Sequence, residues 1–213
     1  VACTVFTPGC NLRCPYCHNP EILDPDLEME VMPEENFFSF LDNRSGFLDG
    51  VCITGGEPTI QRDIQEFIVQ VRERGFLVKL DTNGTIPAVL KELLEDKLLD
   101  YVAMDVKTSL EGYTRDMGFR GNTADIIKSI DMIKGSGIEY EFRTTVVPGL
   151  IDTVEILEVA KMIKGARRYF IQNFRPGYVL DGNLSERTGY PPGKLEEFRK
   201  ILEPCVEETG IRN

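Results

Sequence analysis

The chain is short of positive charge, of long apolar runs and of cysteine outside one short loop, and each shortage excludes something. Its 213 residues carry 24 Lys and Arg against 35 Asp and Glu, a formal net charge of −11. An excess of that sign repels phosphate backbones and anionic lipid, which excludes nucleic acid or a charged membrane surface as a partner held by bulk electrostatics. No apolar run reaches transmembrane length and no signal-peptide pattern is present, so the sequence reads as cytosolic, with no membrane partner. The chain opens at Val1, without a methionine and inside an apolar run, which implies a natural protein that begins further upstream. Of six cysteines, Cys3, Cys52 and Cys205 are scattered, too few and too far apart for a secreted disulfide framework. Their default is the inert thiol in a strand or a late helix. Histidine occurs once, at His18.

What remains is an α/β pattern in one unit over residues 1–213, since 42% hydrophobic content supplies one sizeable core and not two. Apolar β-rich runs at 2–6, 50–54, 76–81, 101–106, 139–147 and 168–174 alternate with helix-period stretches. Ile60, Ile64, Phe67, Ile68 and Val71 share one helical face, with Thr59 as N-cap and Gly75 as the stop. Further stripes run through Val89, Leu90, Leu93 and Leu94, through Ile126 to Ile133 with Gly135 as the stop, and through Ile156 to Ile163 with Gly165 as the stop. Residues 32–43 and 192–208 read as helices, the second closing a C-terminal loop and helix over 178–213. Six strand–helix alternations fit either a doubly wound sheet or an incomplete barrel, and both place ligands at the strand C-termini.

Those strand ends hold the unusual residues. The first ends in TPGCNLRCPYCHNP, with Cys10, Cys14 and Cys17 in one short loop; the second ends in TGGEPT, with Gly55, Gly56 and Glu57. A closed structural zinc site needs four ligands, and His18, adjacent to Cys17, cannot readily reach the same tetrahedral ion. A 4Fe–4S cluster held by three cysteines fits the count better and leaves one iron open for a substrate. His18 remains a structural or sulfur-tuning neighbour rather than a ligand. Glycines at 55 and 56 let backbone come close to a ligand, although a lone GGEP is more often a turn.

The spacing CNLRCPYC resembles the signature of the radical S-adenosylmethionine (SAM) enzymes, and TGGEP at the next strand end resembles their second motif. With LDTNG, MDVK and RTTVVPG, the chain to about residue 177 is most similar to the activating proteins of glycyl-radical enzymes, in particular that of anaerobic ribonucleoside-triphosphate reductase. The resemblance implies an incomplete (β/α)6 barrel of the radical SAM type. It implies Cys10, Cys14 and Cys17 as ligands of a 4Fe–4S cluster, Tyr16 near the adenine, and Gly55, Gly56 and Glu57 at the amino group of SAM. It sets Asn83 near the ribose, and Lys107 and Arg143 near the cofactor carboxylate or an incoming glycine loop. Asp81 and Asp105 would hold a monovalent cation.

The implied function is reductive cleavage of SAM to a 5′-deoxyadenosyl radical, which takes a hydrogen atom from a glycine of a partner enzyme under anaerobic conditions. The electron would come from a flavodoxin- or ferredoxin-type protein, because no second cysteine cluster is present. Arg175 stands where a relative has histidine, and the segment from Tyr178 to Pro192 has no assigned role. Two alternatives stay open: a radical SAM enzyme acting on a small molecule or peptide, and a non-catalytic iron–sulfur or metal-binding module.

Overall fold

A computed structural model describes residues 1–23 and 31–212. In chain order the elements are β1 (Ala2–Thr7), α1 (Glu34–Asp42), β2 (Gly50–Gly55), α2 (Ile64–Glu73), β3 (Leu77–Thr82), α3 (Pro87–Glu95) and β4 (Tyr101–Asp105). They continue with α4 (Leu110–Arg115), α5 (Ala124–Gly135), β5 (Glu139–Val146), α6 (Thr153–Met162), β6 (Ala166–Asn173), α7 (Pro192–Leu202) and β7 (Val206–Arg212). All seven strands pair in parallel in the order β1-β2-β3-β4-β5-β6-β7. β1 and β7 do not pair with each other, so the sheet stays open as an incomplete barrel.

The six expected strands are present within a residue or two, and a seventh joins them. The stretch 192–208 was expected to be one helix; it ends at Leu202, and a short turn over 203–205 leads into β7. The helix rule fails there because Pro204 has no N–H to continue the α-helical ladder, and the chain turns extended at Val206. Cys205 consequently lies in that turn, partly buried, rather than in a helix. Two helix boundaries also move. Thr59 sits inside a short 3-10 turn (Pro58–Ile60), and the α2 helix begins only after Asp63. Gly135 is the last residue of α5, and the left-handed residue that ends the turn is Gly137, φ +77°.

Strand periodicity then separates two faces. Val78 and Leu80 of β3, Val102 and Met104 of β4 and Phe142 of β5 are buried in the apolar core, which the helices cover. Their neighbours on the opposite face, Lys79, Asp81, Asp105, Glu141 and Arg143, are polar. Parallel register sets Asp105 directly beside Arg143. No helix among the described residues is long and apolar enough to cross a membrane.

Candidate active site

The loop after β1 is tied down on every side by backbone hydrogen bonds. Gly9 N donates to Ile22 O (2.6 Å), Arg13 N to Met117 O (2.8 Å), and Glu57 N to Gly9 O (2.9 Å). Leu180 N donates to Cys17 O (3.0 Å) and Asp181 N to Pro15 O (2.8 Å), which places the start of the segment after β6 against the cysteine loop. Leu12, Cys14 and Tyr16 alternate inward and are buried, while Cys10 and Cys17 are half-buried. These five bonds are made by main-chain atoms, which leave no residue-type signal in the sequence.

Gly55 and Gly56 are required first by the chain itself. A Cβ on Gly56 would stand 1.8 Å from Gly9 O, and one on Gly55, at φ +113°, would stand 2.4 Å from Thr7 N. Only glycine lets the β1 and β2 exits lie this close.

Glu57 is fully buried, and its carboxylate is engaged within the protein. Oε1 accepts from Thr59 N (3.1 Å), Thr59 Oγ1 (2.6 Å) and Thr82 Oγ1 (2.6 Å), while Oε2 accepts from Asn83 N (2.6 Å). Burial pushes its pKa up, against these donors. Glu57 thus joins the ends of β2 and β3, and Thr59 and Thr82 are site residues that motif reasoning missed.

Across the sheet, the four carboxylate oxygens of Asp81 and Asp105 meet side-chain cations. Arg143 donates from Nε to Asp105 Oδ1 (2.8 Å) and from Nη1 to Asp81 Oδ2 (3.3 Å). Lys107 Nζ binds Asp105 Oδ2 (3.0 Å), and Lys79 pairs with Asp81 Oδ1. Burial would raise Asp105, yet Arg143 and Lys107 outweigh it and hold the carboxyl well below its ordinary range. Burial would likewise lower Lys107, but Asp105 keeps its pKa raised. Here the Arg143 guanidinium spans the two aspartates for which the resemblance implies a cation.

A hollow of about 230 Å³ gathers these pieces. Its lining includes Cys10, Cys14, Cys17, Tyr16, Gly55, Gly56, Glu57, Asp81, Asn83, Asp105 and Lys107; of the expected residues, only Arg143 stands behind the wall. None of Cys3, Cys52 and Cys205 lines it. Burial pushes the Cys14 thiol up to about 12, so a group bound there must displace protons. The residues present fit a thiolate-held group beside an organic cofactor: the three thiols of one loop share the wall of the hollow with the Tyr16 hydroxyl, which is buried without a hydrogen-bond partner.

His18 is held apart from ligation: its Nε2 donates to Arg175 O (3.0 Å), and its ring lies against Phe174 at 5.8 Å. A second, polar hollow of about 390 Å³ adjoins the first through His18 and Thr145, and Gln172, Asn173, Arg175 and Arg212 complete it.

Fold and site together define a radical SAM enzyme, and the Radical SAM superfamily model matches residues 4–169. A Methanocaldococcus jannaschii protein named as a glycyl-radical enzyme activating enzyme is 37% identical over 214 residues, covering 98% of this chain and 87% of the relative. The pyruvate formate-lyase-activating enzyme of Clostridium pasteurianum is 31% identical over 224 residues, covering 96% and 89%. The chain belongs to the glycyl-radical enzyme activating family of the radical SAM superfamily. Its cofactors are those of the superfamily, a 4Fe–4S cluster and SAM. Streptococcus suis SuiB, solved with S-adenosylmethionine bound, shares the fold at a TM-score of 0.73 and 16% identity; the match spans all of this chain and half of that one.

Proposed function

We propose that this chain installs a glycyl radical on a partner enzyme, with anaerobic ribonucleotide reductase as the partner and a flavodoxin- or ferredoxin-type protein as the electron donor. The observation that carries this reading is a three-thiol loop with no fourth cysteine on the hollow, set at the strand ends of a sheet left open between β1 and β7. When bound, the cluster and SAM supply one-electron cleavage of a carbon–sulfur bond and a 5′-deoxyadenosyl radical.

The protein's own residues bind, orient and exclude water. Cys10, Cys14 and Cys17 would hold the cluster, and Tyr16 would border the cofactor. The Gly55 and Gly56 backbone would receive the amino group, a role for which Glu57 sets the backbone rather than offering free oxygens. Lys107 would face the cofactor carboxylate, while Arg143, behind the wall, holds Asp81 and Asp105 in place. A glycine-bearing loop would enter at the open side of the sheet, and the polar hollow beside Arg175 adjoins the cysteine-lined one through His18 and Thr145.

The test is anaerobic. Reconstituted protein mixed with SAM, a reductant and the candidate reductase should give a glycine-centred EPR doublet together with methionine and 5′-deoxyadenosine. SAM cleavage without a doublet on any glycyl-radical enzyme moves the substrate to a small molecule or peptide. Iron-free protein carrying one zinc, with no cleavage, overturns the catalytic reading altogether.

A further inference from the structure

Asn11 lies between Cys10 and Cys14, and nothing in the metal-ligand logic of that loop calls for asparagine. In the folded protein it closes a ring with two residues from the exit of β3. Asn83 Nδ2 donates to Asn11 Oδ1 (3.0 Å), Asn11 Nδ2 donates to Thr85 Oγ1 (2.7 Å), and Thr85 Oγ1 donates to Asn83 Oδ1 (2.6 Å). Each side chain gives one hydrogen bond and takes one, all in the same sense around the ring, so the bonds polarise one another.

The amide orientations follow from the chemistry. Thr85 N donates to Asn83 Oδ1 as well (3.0 Å), and a backbone N–H can only donate. Asn83 must therefore turn its oxygen toward Thr85 and its NH2 toward Asn11. That NH2 also stands 4.0 Å from Cys10 Sγ, at the long limit for a bond to sulfur, while Leu12 N approaches the same sulfur at 3.4 Å. Asn83 and Thr85 are buried, and the Asn83 backbone is in turn fixed by Glu57.

Three sequence-distant segments meet here: the cysteine loop, the turn after β2 and the exit of β3. Asn83, expected near a ribose, lines the hollow and uses both its amide oxygen and one proton of its NH2 in this ring. We propose that the Asn11–Asn83–Thr85 ring is a positioning device for Cys10: it fixes the loop so that the Cys10 sulfur is presented to the cluster, and it holds the Asn83 NH2 beside that sulfur. Asn11 and Thr85 are positioning residues, since neither is a ligand. Hydrogen bonds to a ligand sulfur and the groups that orient it control cluster retention and reduction potential. The inference rests on the assignment of Cys10 as a cluster ligand.

Thr85→Val removes two edges of the ring at nearly constant shape; Asn11→Ala removes two as well. Thr85→Ser keeps the hydroxyl and serves as the rescue. Anaerobically reconstituted proteins are challenged with an iron chelator, iron loss is followed optically, and the cluster is titrated potentiometrically. Thr85→Val and Asn11→Ala should lose iron faster by about tenfold or more, and their midpoint potential should fall. Thr85→Ser should match the wild type. Iron loss within twofold of wild type at an unchanged potential would overturn the inference. So would iron loss that merely tracks the melting temperature of the cluster-free variants, with no recovery in Thr85→Ser. A wild type that takes up no cluster at all would instead overturn the ligand assignment.

Discussion

Glu57 is the residue on which the strand exits depend. A carboxylate with no exposed surface accepts four hydrogen bonds from three residues, two of them at the end of the neighbouring strand. A glutamate that only touched a cofactor would leave the cofactor-free protein as stable as before when replaced. Glu57→Gln instead presents an NH2 to donors that need an acceptor. We expect it to destabilise the cluster-free protein by about 2–4 kcal/mol, read from denaturant unfolding, and to abolish SAM cleavage. Unchanged stability with lost cleavage would return Glu57 to a pure ligand contact. At this scale the motif letters were informative about which residues matter. The direction of their bonds was not legible, because Thr82 and Asn83 meet Glu57 only after two strands have been laid side by side.

Among elements, β7 shows where pattern fails. Its sequence VEETGIR has no apolar alternation, and its charges suit an exposed helix as well as an edge strand. What fixes it is pairing along β6 and a contact that spans 71 residues: Arg212 donates from Nη1 and Nη2 to Glu141 Oε1 and Oε2, both at 2.7 Å. Glu141 is buried, and it also accepts from the Tyr101 hydroxyl (2.9 Å). Burial alone would raise its pKa; the bonds from Arg212 and Tyr101, with Arg143 nearby, overturn that and leave it lowered. A lowered folded-state pKa stabilises the fold above the unfolded value of about 4.3 and loses that contribution as pH falls through the folded one. Glu141→Gln should therefore be less stable near neutrality by about 1–2 kcal/mol, the exposed half of Arg212 screening the pair. Its melting temperature should also fall less steeply than that of the wild type between about pH 5 and pH 3. Parallel melting curves for the two proteins would contradict this.

Over the whole molecule, charge and openness act together. A net charge of −11 gives the surface a field that excludes polyanions at ordinary ionic strength. The protein should pass through a heparin column at about 0.15 M salt and bind an anion exchanger; retention on heparin would reveal a basic patch strong enough to reopen nucleic acid as a ligand.

The sequence by itself determined the alternation of strands and helices, since apolar periodicity is local, and it determined the cysteine loop and the glycine turn, since their spacings are properties of short segments. It also determined that the sulfurs number three, which leaves a cluster one ligand short. Only the tertiary structure decided that the sheet has seven strands and stays open. It decided too that Gly55 and Gly56 yield to the β1 exit, that Arg143 lies between Asp81 and Asp105, and that Asn11 closes a ring with Asn83 and Thr85. Each of these is a contact between segments far apart in the chain, and its distance and direction are set by parallel register and strand exit geometry, which no single segment encodes.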